Sequence, residues 1–355
     1  MNIRICYLPG REATYSRTRV ILKALTESGF TVHDCSYPHK KTRRYFISFF
    51  KFLKYRHQSD IIFVGFLGHF FVPFVRLFTK KKIIFDVFVS IYQTLTDDRK
   101  TFAPDSLLAR IARCLDRLSC RLADVLILDT DQHIDYFVNE LKINKDKIVR
   151  IFVGSDNSVM YPREESATDQ CIVHFHGEFQ PLHGCEYIIE AAKLVPRIKL
   201  QMIGEGLMLA DCLDKAKKEG ITNIAFYPSM PYEKLSEYMA KASICLGLFG
   251  NTRKTQMVIP HKVYEAMAMK KPIITAETPA IKELLTHEEN VFLCKSADPR
   301  SLASAISELS NNPALREKLG RNAYNVFQQK CSPKIIGKQI LEITERLTKK
   351  PSSIS

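Results

Sequence analysis

"VIPHKVYEAMAMKKPIITAETPA", residues 258–280, combines the start of a helix, the helix itself and a short apolar strand. The apolar run PIITA is typical of a strand that is buried on both faces of a parallel sheet. The helix starts near Ile259–His261, and a helix N-terminus attracts phosphate because it presents unpaired N–H groups and a positive dipole end. We therefore interpret this stretch as part of an α/β domain with an anion site at the helix start.

The loop in front of this helix adds glycines and cations. It follows the strand pattern SICLGLF and contains Gly247 and Gly250. Mobile cationic side chains at a helix N-terminus would strengthen phosphate binding there. The cations in this segment are Arg253, Lys254, His261 and Lys262.

Glu265 lies one helical turn after Lys262. As a carboxylate it could accept hydrogen bonds from two ribose hydroxyls. The alternative is a surface ion pair between Lys262 and Glu265, which is common on helices and worth only ~0.5 kcal/mol or less. The order of strand, glycine loop, cations, helix start and carboxylate favours the ligand site.

Two series of short apolar strands alternate with helical patterns along the chain. The first includes IRICYL, DIIFVGF, KIIFDVFV and DVLILDT, and the second includes CIVHFHG, IKLQMIG, IAFYP, SICLGLF, PIITA and NVFLC. The polar segment Ser155–Gln170 separates them. This pattern predicts two doubly wound Rossmann-like domains facing each other across a cleft, with boundaries at 1–165 and 170–331. We expect the amphipathic segment 332–355 to cross back onto the first domain.

Composition and charge indicate a folded protein with an anionic partner. Apolar residues make up 46% and charged residues 25% of the 355 positions, which excludes a disordered chain. Residues 1–160 hold 26 basic against 16 acidic side chains, whereas residues 161–355 hold 26 against 22. The formal charge of +14 is therefore concentrated in the N-terminal half. Such a charge favours phosphates, nucleic acid or an acidic lipid surface.

Several features favour a cytoplasmic protein. The ten cysteines lack CxxC pairs and metal-ligand spacing, as expected for reduced and mostly buried thiols. The opening residues MNIRICYLPG look like a strand and not like a signal peptide. The apolar stretch Ile61–Phe78 has the length of a membrane span. Its Gly, His, Pro and Arg residues instead favour a strand, a turn and a short helix.

The segment KVYEAMAMKKPIITAETPAIKELL resembles the signature of retaining glycosyltransferases with the GT-B fold, specifically the family 4 group (glycosyl transferases group 1). Upstream, HGEFQPLHGCEYIIEAAKLV and LQMIGEGLML resemble the first two strand–loop–helix units of that family's donor domain. The resemblance covers residues 172–345, and the N-terminal half matches more loosely. It implies the GT-B fold, with a donor-binding domain at 170–331 and an acceptor-side domain at 1–165.

The resemblance also implies which residues bind the donor. Two departures stand out: Met257 occupies the position of the first of two glutamates in the family's commonest motif, and Glu178 and His183 replace the usual Arg and Lys. We expect Lys262 and Arg253 to assist catalysis. The expected donor-binding residues are Gly177, Glu178, His183, Gly204, Arg253, Lys254, His261, Lys262, Val263 and Glu265.

On the acceptor side, polar residues follow predicted strands of the first domain, where open α/β sheets bind ligands. Asp86 interrupts the apolar strand IIFDVFV, and a carboxylate there is costly unless it is paired or functional. We consider a catalytic role for Asp86 and a hydrogen-bonded role within the fold about equally. The other acceptor-side residues are Gly10, Arg11, His69 and Ser90.

The resemblance implies transfer of a sugar, with retention of the anomeric configuration, from a UDP- or GDP-sugar to a glycan or lipid-linked acceptor. Such a reaction belongs to cell-surface polysaccharide or glycolipid synthesis. No cofactor and no metal are expected, because protein cations and helix dipoles offset the phosphate charge. Asp129–Asp131 is interpreted as a helix cap and not as a metal ligand. Two alternatives stay open: a GT-B nucleotide-sugar epimerase, and a non-catalytic basic module that binds membranes or nucleic acid.

The segment His39–His57 alternates basic and aromatic residues. On a helix, this pattern would present an aromatic face flanked by cations to an anionic membrane surface. The alternative is a core helix with a solvated basic edge. We expect peripheral attachment to the inner face of the membrane. We do not expect nucleic acid as a partner, because no RNP, KH or zinc-finger spacing is present.

Overall fold

The structure is a computed structural model that describes residues 3–38, 42–163 and 170–348. The described chain divides into two compact units. Unit 1 contains the chain up to Thr96, the segment Phe102–Asp156 and the residues from Lys330 onward. Unit 2 contains Asp97–Thr101 and Asn157–Gln329. The division at Asp156 precedes the predicted boundary at 165, and Asp97–Thr101 joins unit 2 although the sequence placed it in the first domain.

Both units are built from short, buried strands and amphipathic helices. The strands are β1 (Arg4–Leu8), β2 (Thr31–Asp34), β3 (Ile61–Val64), β4 (Lys82–Asp86), β5 (Val125–Leu128), β6 (Ile148–Arg150), β7 (Ile172–His176), β8 (Lys199–Ile203), β9 (Ile224–Tyr227), β10 (Ile244–Leu246), β11 (Ile273–Ala276) and β12 (Phe292–Cys294).

The helices alternate with these strands. They are α1 (Ser16–Glu27), α2 (Arg44–Tyr55), α3 (Phe71–Phe78), α4 (Ile91–Gln93), α5 (Leu107–Leu122), α6 (Asp131–Asn139), α7 (Cys185–Leu194), α8 (Leu209–Lys218), α9 (Tyr232–Ala240), α10 (His261–Ala268), α11 (Pro279–Lys282), α12 (Pro299–Asn311), α13 (Pro313–Val326) and α14 (Pro333–Thr348). Short 3₁₀ or π-helical turns lie at Thr94–Asp98, Lys145–Lys147, Pro181–His183 and Phe327–Cys331.

Unit 1 is an open parallel sheet with the strand order β2-β1-β3-β4-β5-β6. Every residue of β3 is buried, as expected for a strand covered by helices on both faces. Helix α14 packs against α1 and contributes Ile336, Ile340 and Ile343 to the core of this unit. The last described helix of the chain is therefore part of unit 1.

Unit 2 is a second parallel sheet with the order β12-β11-β10-β7-β8-β9. In chain order within the unit this is the 3-2-1-4-5-6 arrangement of dinucleotide-binding folds, and the order reverses between β7 and β10. Ligands of such sheets bind at the carboxyl ends of the strands that flank this point. The loops that follow β7 and β10 are therefore where a nucleotide site is expected. The prediction of two doubly wound Rossmann-like domains is confirmed.

The segment Ile61–Phe78 forms β3, a turn and α3, as the sequence predicted. Among the described residues, none of the helices has both the length and the apolar character needed to cross a bilayer. All ten cysteines are free thiols, and eight of them are buried. The prediction of reduced and mostly buried thiols is thus consistent with the fold.

Candidate active site

Lys262 and Glu265 lie on α10 and are both buried, with 5% and 3% of their surface exposed. The Lys262 ammonium lies 4.1 Å from the centre of the Phe175 ring. The Glu265 carboxylate instead contacts His176, whose Nε2 lies 2.7 Å from Glu265 Oε2. No ion pair joins Lys262 to Glu265 in the described part of the chain. The alternative of a surface ion pair is therefore wrong, because each side chain turns to a different buried partner.

Lys262 places a buried ammonium group in this site. Its Nζ has no acceptor among residues 3–38, 42–163 and 170–348. Burial disfavours the charged form and lowers the pKa of Lys262 to about 7. The Phe175 ring offers a cation–π contact, which compensates only part of the lost hydration. An anionic ligand next to Nζ would restore the charge.

Glycines bring two loops close to this ammonium. Gly177 follows β7 with φ 144°, and a Cβ at this position would lie 3.0 Å from Lys262 Nζ and 3.3 Å from His183 Cε1. Gly204 follows β8, and a Cβ there would lie only 1.9 Å from the Gly177 carbonyl oxygen. Both positions therefore need glycine. The structure thus brings together Gly177, His183, Gly204 and Lys262 at the carboxyl end of β7.

A chain of buried polar groups leads from Glu265 across the sheet. His176 Nδ1 lies 2.9 Å from His174 Nε2, and His174 Nδ1 lies 2.9 Å from Gln201 Nε2. His174 and Gln201 are direct neighbours on β7 and β8. None of these three residues was predicted from the sequence as part of the site. Two histidines at i and i+2 in an otherwise apolar strand share one face, and that spacing was the available signal.

Electrostatics favour an ionised Glu265 and a neutral His174. Burial alone would raise the pKa of Glu265, but the hydrogen bond and charge of His176 lower it below its ordinary value. Burial, reinforced by the charge of His176, holds the pKa of His174 well below the ordinary histidine range. Glu265 is therefore a carboxylate held in place by an imidazole.

His176→Leu is expected to lower the free energy of unfolding by ~1–3 kcal/mol, because a buried carboxylate oxygen loses its hydrogen bond. Urea denaturation of His176→Leu in the wild-type and Glu265→Gln backgrounds measures this coupling. The loss should be smaller when position 265 carries a neutral amide. An equal loss in both backgrounds would contradict the assigned contact.

His261, the first residue of α10, completes the polar cluster. Its Nδ1 lies 3.6 Å from Glu265 Oε1, which is too long for a hydrogen bond. Both ring nitrogens are buried without a hydrogen-bond partner among the described residues. His261 and Lys262 thus place unsatisfied polar atoms at the start of one helix. Val263 follows Lys262 and is also buried. A Cβ at Gly247 would lie 3.3 Å from Val263 Cγ2, and the Val263 N–H donates to the Pro260 carbonyl.

Three other expected donor-binding side chains lie outside this cluster of unpartnered atoms. Lys254 is buried and its Nζ lies 3.1 Å from Asp98 Oδ2, so a phosphate would compete with a carboxylate for it. Arg253 is exposed in the loop before α10. Glu178 is half-exposed and lies 3.8 Å from the guanidinium of Arg99. The predicted diphosphate clamp of Arg253, Lys254 and Lys262 is therefore not assembled as a group.

In unit 1, the predicted acceptor-side residues follow β1, β3 and β4, which are neighbours in the sheet. Gly10 approaches the next loop so closely that a Cβ would lie 2.2 Å from the Leu67 carbonyl oxygen. Arg11 is paired with Glu12 at 3.1 Å. These two residues are at the strand ends, as the sequence predicted.

Two further acceptor-side predictions need correction, because His69 and Ser90 are fully buried. Ser90 Oγ donates to Asp116 Oδ2 at 2.6 Å, and the backbone N–H groups of Ile91 and Tyr92 donate to the same carboxylate. Burial raises the pKa of Asp116 to about 6 and lowers the pKa of His69 to about 3. Ser90 and Asp116 therefore organise the start of α4 inside the unit.

Asp86 also needs correction. Its two oxygens accept hydrogen bonds from Arg17 Nε and Nη2, each at 2.9 Å, and both side chains are about 1% exposed. The remaining guanidinium nitrogen of Arg17 donates to the Val153 carbonyl. This is the hydrogen-bonded role within the fold that the sequence left open. Asp86 is consequently not retained as a catalytic residue.

Asp129–Asp131 lies at the start of α6, as interpreted from the sequence. Thr130 caps this helix by accepting a hydrogen bond from the His133 N–H. Asp129 Oδ1 contacts His133 Nδ1 at 2.6 Å. The segment thus shapes a helix terminus.

Comparison with known proteins shows similarity to glycosyltransferases. Residues 160–326 match the family described as Glycosyl transferases group 1. An uncharacterized glycosyltransferase of Methanocaldococcus jannaschii is 25% identical over 205 residues, which is 56% of this chain and 53% of that protein. The chain spans about half the length of the curated relatives it matches.

Solved structures share the fold over nearly the whole chain. Sucrose-phosphate synthase from Thermosynechococcus elongatus has a TM-score of 0.75 at 17% identity, covering 97% of this chain and 99% of that one. Anabaena HepE in complex with UDP-glucose has a TM-score of 0.72 at 14% identity, covering 97% and 100%. The predicted fold class is confirmed: the chain has the GT-B fold, and its residues 160–326 match the glycosyl transferases group 1 family.

Proposed function

We propose that this protein is a glycosyltransferase that moves a sugar from a UDP- or GDP-sugar to a hydroxyl group of a glycan or lipid-linked acceptor, with retention of configuration. The observation that carries the proposal is the buried ammonium of Lys262 beside Gly177, at the start of α10, which has no hydrogen-bond partner among the residues that the structure describes. A diphosphate is an anion of suitable charge for this position. The UDP-glucose complex of Anabaena HepE supports the nucleotide-sugar class.

In this proposal, four groups of α10 bind different parts of the donor. Lys262, the His261 ring and the helix N-terminus bind the diphosphate, and Glu265 accepts hydrogen bonds from the ribose. The bond between the anomeric carbon and the phosphate oxygen breaks while the acceptor oxygen bonds to the same carbon. The acceptor proton passes to the departing phosphate oxygen. Lys262 offsets the charge that develops there, so the proposed reaction needs no metal.

Glu265→Gln is expected to weaken nucleotide binding by about 1.5–3 kcal/mol, or ten- to hundredfold. The substitution keeps the shape of the side chain but removes a charge-assisted hydrogen bond to a part of the donor remote from the breaking bond. Isothermal titration of UDP and GDP into both proteins measures the change. Wild-type affinity in Glu265→Gln would contradict the ribose contact.

A turnover assay, together with a titration of nucleotide, separates the proposed function from its two alternatives. Incubation with UDP-N-acetylglucosamine, with and without a glycan or lipid acceptor, is followed by analysis of the released nucleotide and the sugar. Transfer that depends on the acceptor supports the proposal. Turnover of the donor alone would indicate an epimerase, and absence of saturable nucleotide binding would indicate a non-catalytic module.

A further inference from the structure

Exposed apolar side chains are concentrated on three helices of unit 1. Among the described residues, ten of the fourteen exposed large hydrophobic side chains lie on α2, α3 and α5 or directly before α3. We call this set the apolar face. It consists of Phe46, Phe50, Phe70, Phe74, Leu77, Phe78, Leu107, Leu108, Ile111 and Leu118.

The three helices lie on the same side of their sheet. Each connects parallel strands that step in one direction across it, and right-handed crossovers place such helices on a common face. The Phe49 ring lies 6.2 Å from Phe74 and 5.6 Å from Phe78, which joins α2 to α3. Arg76 of α3 donates to the Leu122 carbonyl at the end of α5. These contacts join α2 to α3 and α3 to α5 on that side of the sheet.

On each helix the exposed apolar residues follow helical spacing. Phe46 and Phe50 are four residues apart on α2. On α5, Leu107, Ile111 and Leu118 form one stripe, and the exposed Cys114 fills its remaining position. An apolar stripe on a helix is normally buried against another element. Here it has no such cover within the described residues.

The charges on the three helices indicate which kind of partner covers the apolar face. The sequences of α2, α3 and α5 contain eight basic side chains and a single carboxylate, Asp116, which is fully buried. Lys54, Arg110 and Arg121 are exposed beside the apolar residues. A face with exposed phenylalanines and leucines, flanking cations and no exposed carboxylate on its helices is complementary to anionic lipid. Two copies of this face would repel each other, which argues against a dimer.

We propose that the apolar face of α2, α3 and α5 docks unit 1 on an anionic membrane surface, with the apolar side chains in the acyl boundary and the cations at the headgroups. This surface differs from the predicted segment His39–His57. Within that segment, Phe52 is buried in the core, and Lys40 and Lys41 lie outside the described residues. Most of the apolar face comes from α3 and α5, which the sequence did not associate with lipid.

The first experiment is co-sedimentation of the full chain with vesicles of phosphatidylglycerol or of phosphatidylcholine. The wild type should pellet with the anionic vesicles only and be released by salt. The variant Phe46→Glu/Leu77→Glu/Leu107→Glu changes three strongly exposed residues of the apolar face and should reduce binding at least tenfold. A matched control changes three exposed leucines of unit 2 and should bind like the wild type: Leu194→Glu, Leu207→Glu and Leu213→Glu.

Removing exposed cations tests the electrostatic contribution to membrane binding. Arg110→Gln and Arg121→Gln should each weaken binding to anionic vesicles about fivefold, the factor that corresponds to ~1 kcal/mol per cation. Undiminished binding of both variants, or equal binding to phosphatidylcholine, would overturn the proposal. So would a dimer that the triple variant dissociates and that binds no vesicles, because the face would then be an interface between copies.

A label on Cys114 can report directly from the apolar face, since the other cysteines are buried except Cys171, which is partly exposed. An environment-sensitive fluorophore on Cys114, in a Cys171→Ser background, should shift to the blue on anionic vesicles and be quenched by nitroxide lipids. The same label on Cys171, in a Cys114→Ser background, should not respond. An unresponsive Cys114 label on protein that pellets with vesicles would overturn the assigned orientation.

Discussion

Lys262→Met is expected to lower kcat of sugar transfer about 10²–10³-fold, the usual effect of removing one preorganised charge that stabilises the transition state. Lys262 Nζ has no hydrogen-bond partner among the described residues, so the substitution breaks no hydrogen bond within the protein. The ammonium stabilises charge that grows as the sugar–phosphate bond breaks. The loss should therefore appear in kcat more than in KM.

The same substitution should stabilise the fold, because it removes a buried charge. The pKa of Lys262 falls to about 7 in the folded protein, against 10.5 ordinarily. Between these values the unfolded chain binds the proton and the folded chain does not, so wild-type stability rises with pH through this window. At pH 7, Lys262→Met should gain on the order of 2–4 kcal/mol, and the gain should shrink towards pH 10.

Lys271 supplies a matched control for both measurements. It is also a buried lysine of unit 2, but its Nζ donates to the Ala240 carbonyl at 2.7 Å. Lys271→Met should therefore lose stability and keep kcat. Denaturant unfolding at pH 7 and pH 10, together with steady-state kinetics, compares the two variants. Unchanged kcat in Lys262→Met, or a loss of stability equal to that of Lys271→Met, would contradict the assigned role.

Nucleotide binding should also change the protonation of Lys262. A diphosphate next to Nζ favours the charged form and raises the pKa of Lys262. Above pH 7, UDP binding should therefore take up a proton, and UDP affinity should fall as pH rises. Titration calorimetry in buffers of different ionisation enthalpy measures this uptake. This proton uptake should be absent in Lys262→Met. If UDP binding to that variant takes up as many protons as binding to the wild type, another group is responsible for the uptake.

The elements of the fold were readable from the sequence because each has a local cause. The run IIFV is buried throughout as β3, and α10 begins at His261 as its pattern indicated. The partners of the polar residues were not readable, because they come from distant positions. His176 meets Glu265 across 89 positions, and Lys254 meets Asp98 across 156. Only the tertiary fold brings such side chains together.

Asp86 illustrates this limit. Its position in an apolar strand indicated that the carboxylate needs a partner or a function. The partner is Arg17 of α1, 69 positions away, whose three guanidinium nitrogens donate to Asp86 and to the Val153 carbonyl. The sequence indicated that this buried carboxylate needs either a partner or a function. It could not indicate which of the two applies. In the structure, Asp86 forms a buried ion pair with Arg17. This contact supports a structural role for Asp86 and not a catalytic one.

Asp86→Asn is therefore expected to lower the free energy of unfolding by about 3–5 kcal/mol, because Arg17 becomes an uncompensated buried charge. The double replacement Arg17→Met/Asp86→Leu should cost less than Asp86→Asn, since it removes both charges. Denaturant unfolding of the single and double variants measures the coupling. At a temperature where Asp86→Asn stays folded, its kcat should remain within about twofold of the wild type. A catalytic base would behave in the opposite way, losing 10²-fold or more in kcat at nearly unchanged stability. That outcome would return Asp86 to the active site, whereas a stability loss with intact turnover assigns it to the core of unit 1.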